Sequence, residues 1–139
     1  MHQATLDLQK AMQKMKKSYR EYYILKMDVR KFFNSIDKKI LYKILKKRIK
    51  DEKLLWLIRQ ILSAQERQKG IEIGNYTSQT FANIYLNELD QYATRKLKIK
   101  NYYRYMDDIV ILARNKNEAK EYLKEIKEFL KKKFELELN

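Results

Sequence analysis

The stretch Tyr105-Met106-Asp107-Asp108-Ile109-Val110-Ile111-Leu112 combines two adjacent aspartates with a short apolar run. With the apolar run at 102–105 before it, this stretch predicts a β-hairpin whose turn holds the aspartates, because turns favour small polar residues. Adjacent carboxylates repel each other, and a divalent cation that neutralises both would explain the pair. The alternative is a type I′ or similar turn, in which the aspartates serve only local hydrogen bonds.

The rest of the chain alternates between helical and extended patterns. The spacing of its apolar residues predicts a strand over 22–27, a final edge strand beginning over 134–138, and helices over 5–19, 41–49, 53–62, 77–97 and 116–133. Trp56 is expected to pack between the second and third of these helices. The segment 65–76 is expected to be a loop, since the only two glycines, Gly70 and Gly74, lie there. This order predicts an α+β domain, with a small antiparallel sheet and helices packed on one face.

A third carboxylate, Asp28, stands at the end of the first predicted strand. If this strand end lies beside the hairpin, Asp28, Asp107 and Asp108 converge on one rim of the sheet. Three carboxylates suit two Mg²⁺ ions, which prefer oxygen ligands and leave coordination sites for phosphates. The alternative for Asp28 is an N-cap of the segment that follows it.

The bulk composition favours a nucleic-acid partner. The 139 residues include 32 Lys+Arg and 18 Asp+Glu, which give a formal charge of +14. The positive side chains would repel one another unless the protein normally faces a polyanion, of which nucleic acid is the commonest. With no cysteine, disulfides and cysteine-ligated zinc are excluded, and His2 as the only histidine argues against a His-based metal site or a Ser-His-Asp triad. No apolar run is long enough to span a membrane and no secretory signal stands at the start, so an intracellular, cytoplasmic protein is expected.

Other charged residues are given a structural interpretation. The basic runs at 46–48 and 131–133 are interpreted as solvated helix faces, and Asp37 and Asp90 as residues that cap or decorate helices.

Three motifs carry a resemblance to a known family. The tetrapeptide at 105–108 resembles the hallmark motif of reverse transcriptases, and Lys26-Met27-Asp28-Val29-Arg30-Lys31-Phe32-Phe33 resembles their first carboxylate motif. The stretch 70–79, with Ala82-Asn83-Ile84-Tyr85-Leu86, resembles the motif between them. The resemblance covers about 22–114 in the expected order, and it is to bacterial retroelement enzymes of the group II intron, retron and diversity-generating kinds. It implies a polymerase palm fold and a bacterial source.

For chemistry, the resemblance implies a two-metal site that uses Mg²⁺, with Mn²⁺ as a substitute. Asp28 and Asp107 would bind both metals, Asp108 would complete the acidic cluster, and the carbonyl of Val29 would also contact a metal.

For substrates, the resemblance places the sugar gate at Phe33, where a bulky ring clashes with a ribose 2′-hydroxyl and favours deoxynucleotides. This preference argues against an RNA-dependent RNA polymerase. Gly74 would bring backbone close to the incoming nucleotide, and Tyr105 could touch the primer end. The implied substrate-binding positions are Phe33, Ile73, Gly74, Asn75, Ser78, Gln79 and Tyr105. The implied nucleic-acid-binding positions are Arg30, Lys31 and Met106.

The middle motif departs from part of the family. Group II intron enzymes usually have Pro-Gln-Gly where this chain has Glu72-Ile73-Gly74, and the pattern at 73–79 is instead similar to diversity-generating retroelement enzymes. Ile73 in place of glutamine removes a polar contact, which would relax base selection.

The length predicts a single palm domain over 1–139, with the helix in 1–20 from the fingers side and the remaining fingers and thumb missing. The expected partners are an RNA template, a DNA or RNA primer, deoxynucleoside triphosphates and accessory proteins of the retroelement, and the oligomeric state is left open. The expected activity is RNA-templated DNA synthesis, weak or absent in the isolated chain. The competing interpretation is a catalytically silent palm that binds RNA or a protein.

Overall fold

The computed structural model describes residues 2–19, 21–64, 67–72 and 76–139, with side chains from Thr5 onward. The helices are α1 (His2–Ser18), α2 (Phe32–Ser35), α3 (Lys38–Arg48), α4 (Glu52–Ser63), α5 (Tyr76–Gln91) and α6 (Lys116–Phe134). Helix α5 continues into a π-helical segment, Tyr92–Lys96. The strands are β1 (Tyr23–Asp28), β2 (Tyr102–Tyr105) and β3 (Asp108–Ala113).

The strands form an antiparallel sheet in the order β1-β3-β2. Successive side chains of a strand point to opposite faces of a sheet, so the register assigns each residue to a face. Met27 pairs with Ile109, and both side chains are buried on the helical face. Asp28 pairs with Asp108 on the other face. The sheet therefore separates its apolar core from the carboxylates.

The core lies between the sheet and helices α3, α5 and α6. The rings of Tyr85 and Phe134 are 4.5 Å apart at its centre, and neither side chain is exposed. This arrangement confirms the predicted α+β fold with an antiparallel sheet. Helix α1 touches the opposite face at one end, where the Tyr103 hydroxyl donates to the Asp7 carbonyl at 3.4 Å.

The helix starts follow from local sequence. Asp37 accepts hydrogen bonds from the Lys39 and Ile40 amides and thereby caps α3, as predicted. Asp51 caps α4 in the same way. Asp28 caps no helix, since α2 begins only at Phe32.

Two predictions are wrong, one about a helix and one about a strand. Trp56 does not pack between two helices, because its side chain is 60% exposed. Helix α4 buries Leu55 and Ile58 instead, and Trp56 points from the other side of the helix.

The predicted edge strand over 134–138 is also largely absent. Phe134 ends α6, Glu135 turns the chain with φ 55°, and within this segment only Leu138 forms a bridge, to Val29.

Backbone hydrogen bonds hold the described part of the loop before α5, residues 67–72. Gly70 adopts φ +101°, which L side chains rarely adopt, and its amide donates to the Ile36 carbonyl at 2.8 Å. No helix among the described residues is both long and apolar enough to cross a membrane.

Candidate active site

A two-residue turn, Met106-Asp107, joins β2 to β3, since Tyr105 and Asp108 are paired. Met106 has φ 53°, an uncommon conformation for a residue other than glycine. The Arg104 guanidinium holds the turn, because its Nη1 donates to the Met106 carbonyl at 2.7 Å. The Met106 side chain packs against the core, so much of it is turned away from solvent.

Arg104 reaches the turn from the helical face of the sheet. Its Nε and Nη2 donate to the two carboxylate oxygens of Asp90 at 2.7 and 2.8 Å. The hydrogen bond and charge of Asp90 outweigh the effect of burial and raise the pKa of Arg104. Burial, followed by the negative charge of Asp90, raises the pKa of the Tyr102 hydroxyl, which donates to Asp90 at 2.7 Å. This ion pair was not predicted, although an arginine at an inward-facing strand position requires an acidic partner.

The three predicted carboxylates lie on one rim of the sheet. Asp28 and Asp108 are opposite each other on β1 and β3, and the Val29 amide donates to the Asp107 carbonyl at 3.3 Å. Burial raises the pKa of Asp107, and the negative charges of Asp108 and Asp28 raise it further against the lowering effect of a backbone hydrogen bond. The rim therefore holds three carboxyl groups, and that of Asp107 is partly buried.

The donor set of the rim suits a hard divalent cation, because it consists of carboxylate oxygens. None of the four ion pairs within the described part of the chain involves Asp28, Asp107 or Asp108. Across the same residues, no three His, Cys, Asp or Glu side chains are grouped closely enough to hold a metal ion by themselves. The carboxylates thus share a rim without forming a closed cage.

The segment after α6 lies against Asp28. The Asn139 side-chain amide donates to Oδ2 of Asp28 at 2.6 Å, and the Asn139 backbone amide donates to the Asp28 carbonyl at 3.0 Å. The Arg30 amide donates to the Glu137 carbonyl at 2.7 Å, beside the bridge between Val29 and Leu138. Nothing near Asn139 in the sequence indicated this contact, which joins residues 111 positions apart.

The other predicted residues occupy different environments. Phe33 is half-buried, and its ring centroid lies 5.4 Å from that of Phe32. Tyr105 is 58% exposed and shares a sheet face with Asp108. Exposed side chains occur at Arg30, Lys31 and Gln79, whereas Ser78 is buried. Ile73, Gly74 and Asn75 lie outside the described residues.

Comparison with known proteins gives the context of this rim. The apo telomerase from Candida Tropicalis, truncated from its C-terminal domain, matches with a TM-score of 0.73 at 12% sequence identity. The match covers 100% of this chain and 34% of that one, so the chain spans about a third of the telomerase chain, and the likeness concerns the fold. A search of curated protein sequences found no match. The family described as "Reverse transcriptase (RNA-dependent DNA polymerase)" matches residues 1–139, and the chain therefore belongs to that family.

Proposed function

We propose that this chain is the catalytic palm of an enzyme that synthesises DNA on an RNA template. Such an enzyme transfers a deoxynucleotide from its triphosphate to the 3′-hydroxyl of a DNA or RNA primer and releases pyrophosphate. The observation that carries the proposal is the pairing of Asp28 with Asp108, beside a turn that holds Asp107. Membership of the reverse transcriptase family supports the same assignment.

In this proposal, Asp28, Asp107, Asp108 and the Val29 carbonyl hold two Mg²⁺ ions, or Mn²⁺ in their place. When bound, the ions would activate the attacking hydroxyl and stabilise the leaving oxygens. Mg²⁺ is usually held by one or two carboxylates together with substrate phosphates. An open rim is consistent with that kind of binding, since the substrate would supply the remaining oxygens.

The neighbouring residues would position the substrate. Phe33 packs against Phe32, which restricts its ring and suits a wall that excludes a ribose 2′-hydroxyl. Tyr105 is exposed beside Asp108 and offers a surface to the primer end. We assign Arg30, Lys31 and Met106 to nucleic-acid contacts, and Ile73, Gly74, Asn75, Ser78 and Gln79 to the incoming nucleotide.

We further assign the chain to the bacterial retroelement branch, near the diversity-generating and group II intron enzymes, and to the cytoplasm. The pattern Ile-Gly-Asn-x-x-Ser-Gln at 73–79 supports the branch. The charge of +14 supports a nucleic-acid partner. Accessory proteins of the element belong to the same proposal.

Primer extension on an RNA template tests the function. The chain should be assayed with Mg²⁺ and with Mn²⁺, alone and within any longer protein that contains it. Asp107→Asn should abolish extension, whereas Glu128→Gln, an exposed change on α6, should not. Equal extension by the Asp107→Asn variant and the parent would contradict the proposal. RNA binding without extension in any form, and without a stability response to either ion, would indicate a silent RNA-binding palm.

A further inference from the structure

A basic groove lies between α3, α4 and the loop at 67–70, apart from the carboxylate rim. Its cavity measures about 610 Å³, and among the residues that the structure describes its lining includes four cationic side chains and no carboxylate. The lining residues are Lys38, Lys39, Tyr42, Lys43, Arg59, Leu62, Ser63 and Gln68. We call this cavity the α3–α4 groove.

Positive charge is concentrated here. Burial and the positive charge of Arg67 together lower the pKa of Lys38. Asp37, the N-cap of α3, adjoins these lysines in the sequence, and its Oδ1 accepts hydrogen bonds from the Lys39 amide at 2.9 Å and the Ile40 amide at 3.2 Å. The Asp37 carboxylate is thus oriented toward the amides of the first turn of α3.

The groove also holds a planar cation against an aromatic ring. The Arg59 guanidinium carbon lies 5.8 Å from the centroid of the Tyr42 ring. Tyr42 is half-buried and packed against the core, so the ring gives Arg59 a fixed support. A guanidinium held in this way offers both charge and a flat surface on which a base can stack.

Backbone contacts fix the shape of the groove. The Lys38 amide donates to the Gln68 carbonyl at 3.2 Å, and Asp37 forms a β-bridge with Lys69. Together they attach the loop to the start of α3. The cationic side chains therefore extend from a connected backbone.

The groove adjoins a second cavity that contains a proposed substrate residue. This cavity, of about 330 Å³, shares Lys38 and Leu62 with the groove and reaches Gly70 and Ser78. A strand lying in the groove would therefore pass beside the start of α5. The α3–α4 groove is thus connected to a cavity that contains a proposed substrate residue, and this connection distinguishes it from the exposed lysines of α6.

We infer that the α3–α4 groove binds the phosphodiester backbone of a single-stranded nucleic acid, with Lys39, Lys43 and Arg59 as its phosphate contacts. The assignment of the partner rests on the proposed function, but binding here requires no metal. A strand that continues past the carboxylate rim would be held by charge at the groove and by base stacking on Arg59.

Fluorescence anisotropy with labelled single-stranded RNA and DNA oligonucleotides, in EDTA and over a series of salt concentrations, tests this inference. The groove variant combines Lys39→Gln, Lys43→Gln and Arg59→Gln. The control variant combines Lys120→Gln, Lys124→Gln and Lys127→Gln on α6, which removes the same charge from equally exposed positions. Circular dichroism melting of each variant establishes that both remain folded.

The groove variant should lose about two units of the slope of log Kd against log salt, since each single-strand phosphate contact contributes about 0.7. Its Kd at about 0.1 M salt should rise about tenfold or more, and the control variant should change much less. Equal losses in the two variants would show a general charge effect and overturn the inference. An unchanged groove variant would overturn it as well.

A separate comparison identifies the ligand. Arg59→Lys keeps the charge and removes the planar surface, so it should weaken oligonucleotide binding while leaving the binding of inorganic polyphosphate unchanged. If polyphosphate binds as tightly per phosphate as RNA, and Arg59→Lys alters neither, the groove is a general polyanion site and the nucleic-acid assignment fails. Because these assays contain no divalent ion, failure of the metal site would leave their result unaffected.

Discussion

Arg104 on β2 and Asp90 on α5 form a two-point ion pair, with N–O distances of 2.7 and 2.8 Å. The Arg104 side chain is only 10% exposed and that of Asp90 25%. Since Arg104 also donates to the Met106 carbonyl, the pair connects α5 to the turn that carries Asp107. The position of the Asp107 turn therefore depends on the Arg104–Asp90 ion pair, which lies on the helical face of the sheet.

Asp90→Asn should lower the free energy of unfolding by about 3 kcal/mol, because it leaves a largely buried guanidinium without its counter-charge. Urea unfolding measures the change. Glu118→Gln provides the control, since it breaks the pair with Arg114, whose side chain is 59% exposed, and should cost no more than about 1 kcal/mol. Similar losses in the two variants would show that burial of the Arg104 pair is energetically unimportant.

Asp107→Asn should act in opposite directions with and without divalent ions. In EDTA it should stabilise the chain by about 0.5 kcal/mol, because it removes one of three negative charges from the rim. In Mg²⁺ or Mn²⁺ the parent should gain stability by ion binding and the variant should gain less. Thermal unfolding in both conditions provides the test, with Glu128→Gln as control. An equal response of parent and variant to the ions would contradict the metal site.

The stability of the metal-free chain should depend on pH through Asp107. Its pKa in the folded chain lies above the ordinary value of 3.8, mainly because of burial and then because of Asp108 and Asp28. Below pH 3.8 the Asp107 carboxyl is protonated in both the folded and the unfolded chain, so it does not lower the free energy of unfolding. As the pH rises through the pKa of Asp107 in the folded chain, the carboxyl ionises more readily in the unfolded chain, and the free energy of unfolding falls. The advantage of Asp107→Asn over the parent should therefore grow as the pH rises from below 3.8 through the pKa of Asp107 in the folded chain. An advantage that shrinks over this range would show that the pKa is lowered instead.

Gly70→Ala should destabilise the chain by about 2 kcal/mol, because φ +101° strains any L side chain. An added Cβ would also lie 3.3 Å from the Asn34 carbonyl oxygen. Lys69→Ala, at the preceding exposed position, should cost no more than about 1 kcal/mol. Urea unfolding compares the two, and a neutral Gly70→Ala would mean that the loop readily takes another conformation.

Asn139→Ala should weaken binding of Mg²⁺, or of luminescent Tb³⁺ as its substitute, by about tenfold, since partners that orient a ligating carboxylate commonly contribute this much. The Asn139 amide fixes the Asp28 carboxylate without neutralising it. Glu137→Ala, which loses only an exposed contact to Lys131, should bind the ion as the parent does. Tighter binding by Asn139→Ala would show that the amide competes with the ion.

The sequence predicted those features that local patterns determine. The hairpin and its aspartates lie within a few positions of one another, so apolar alternation and turn chemistry were sufficient. The exposure of Trp56 was missed because α4 carries apolar residues on two sides, and periodicity alone did not identify the side that is buried. The contact between Asn139 and Asp28 follows from how the chain closes on itself, which no local pattern records.

The pairing of β1 with β3 also has a kinetic consequence. Asp28 and Asp108 are 80 residues apart, and Asn139 is 111 residues from Asp28, whereas the hairpin closes over two residues. Loop-closure entropy favours the hairpin first and opposes the long-range pairings, so the carboxylate rim should assemble late in folding. Ion affinity would then appear only as the last long-range contacts form, and a bound ion would report the completion of folding.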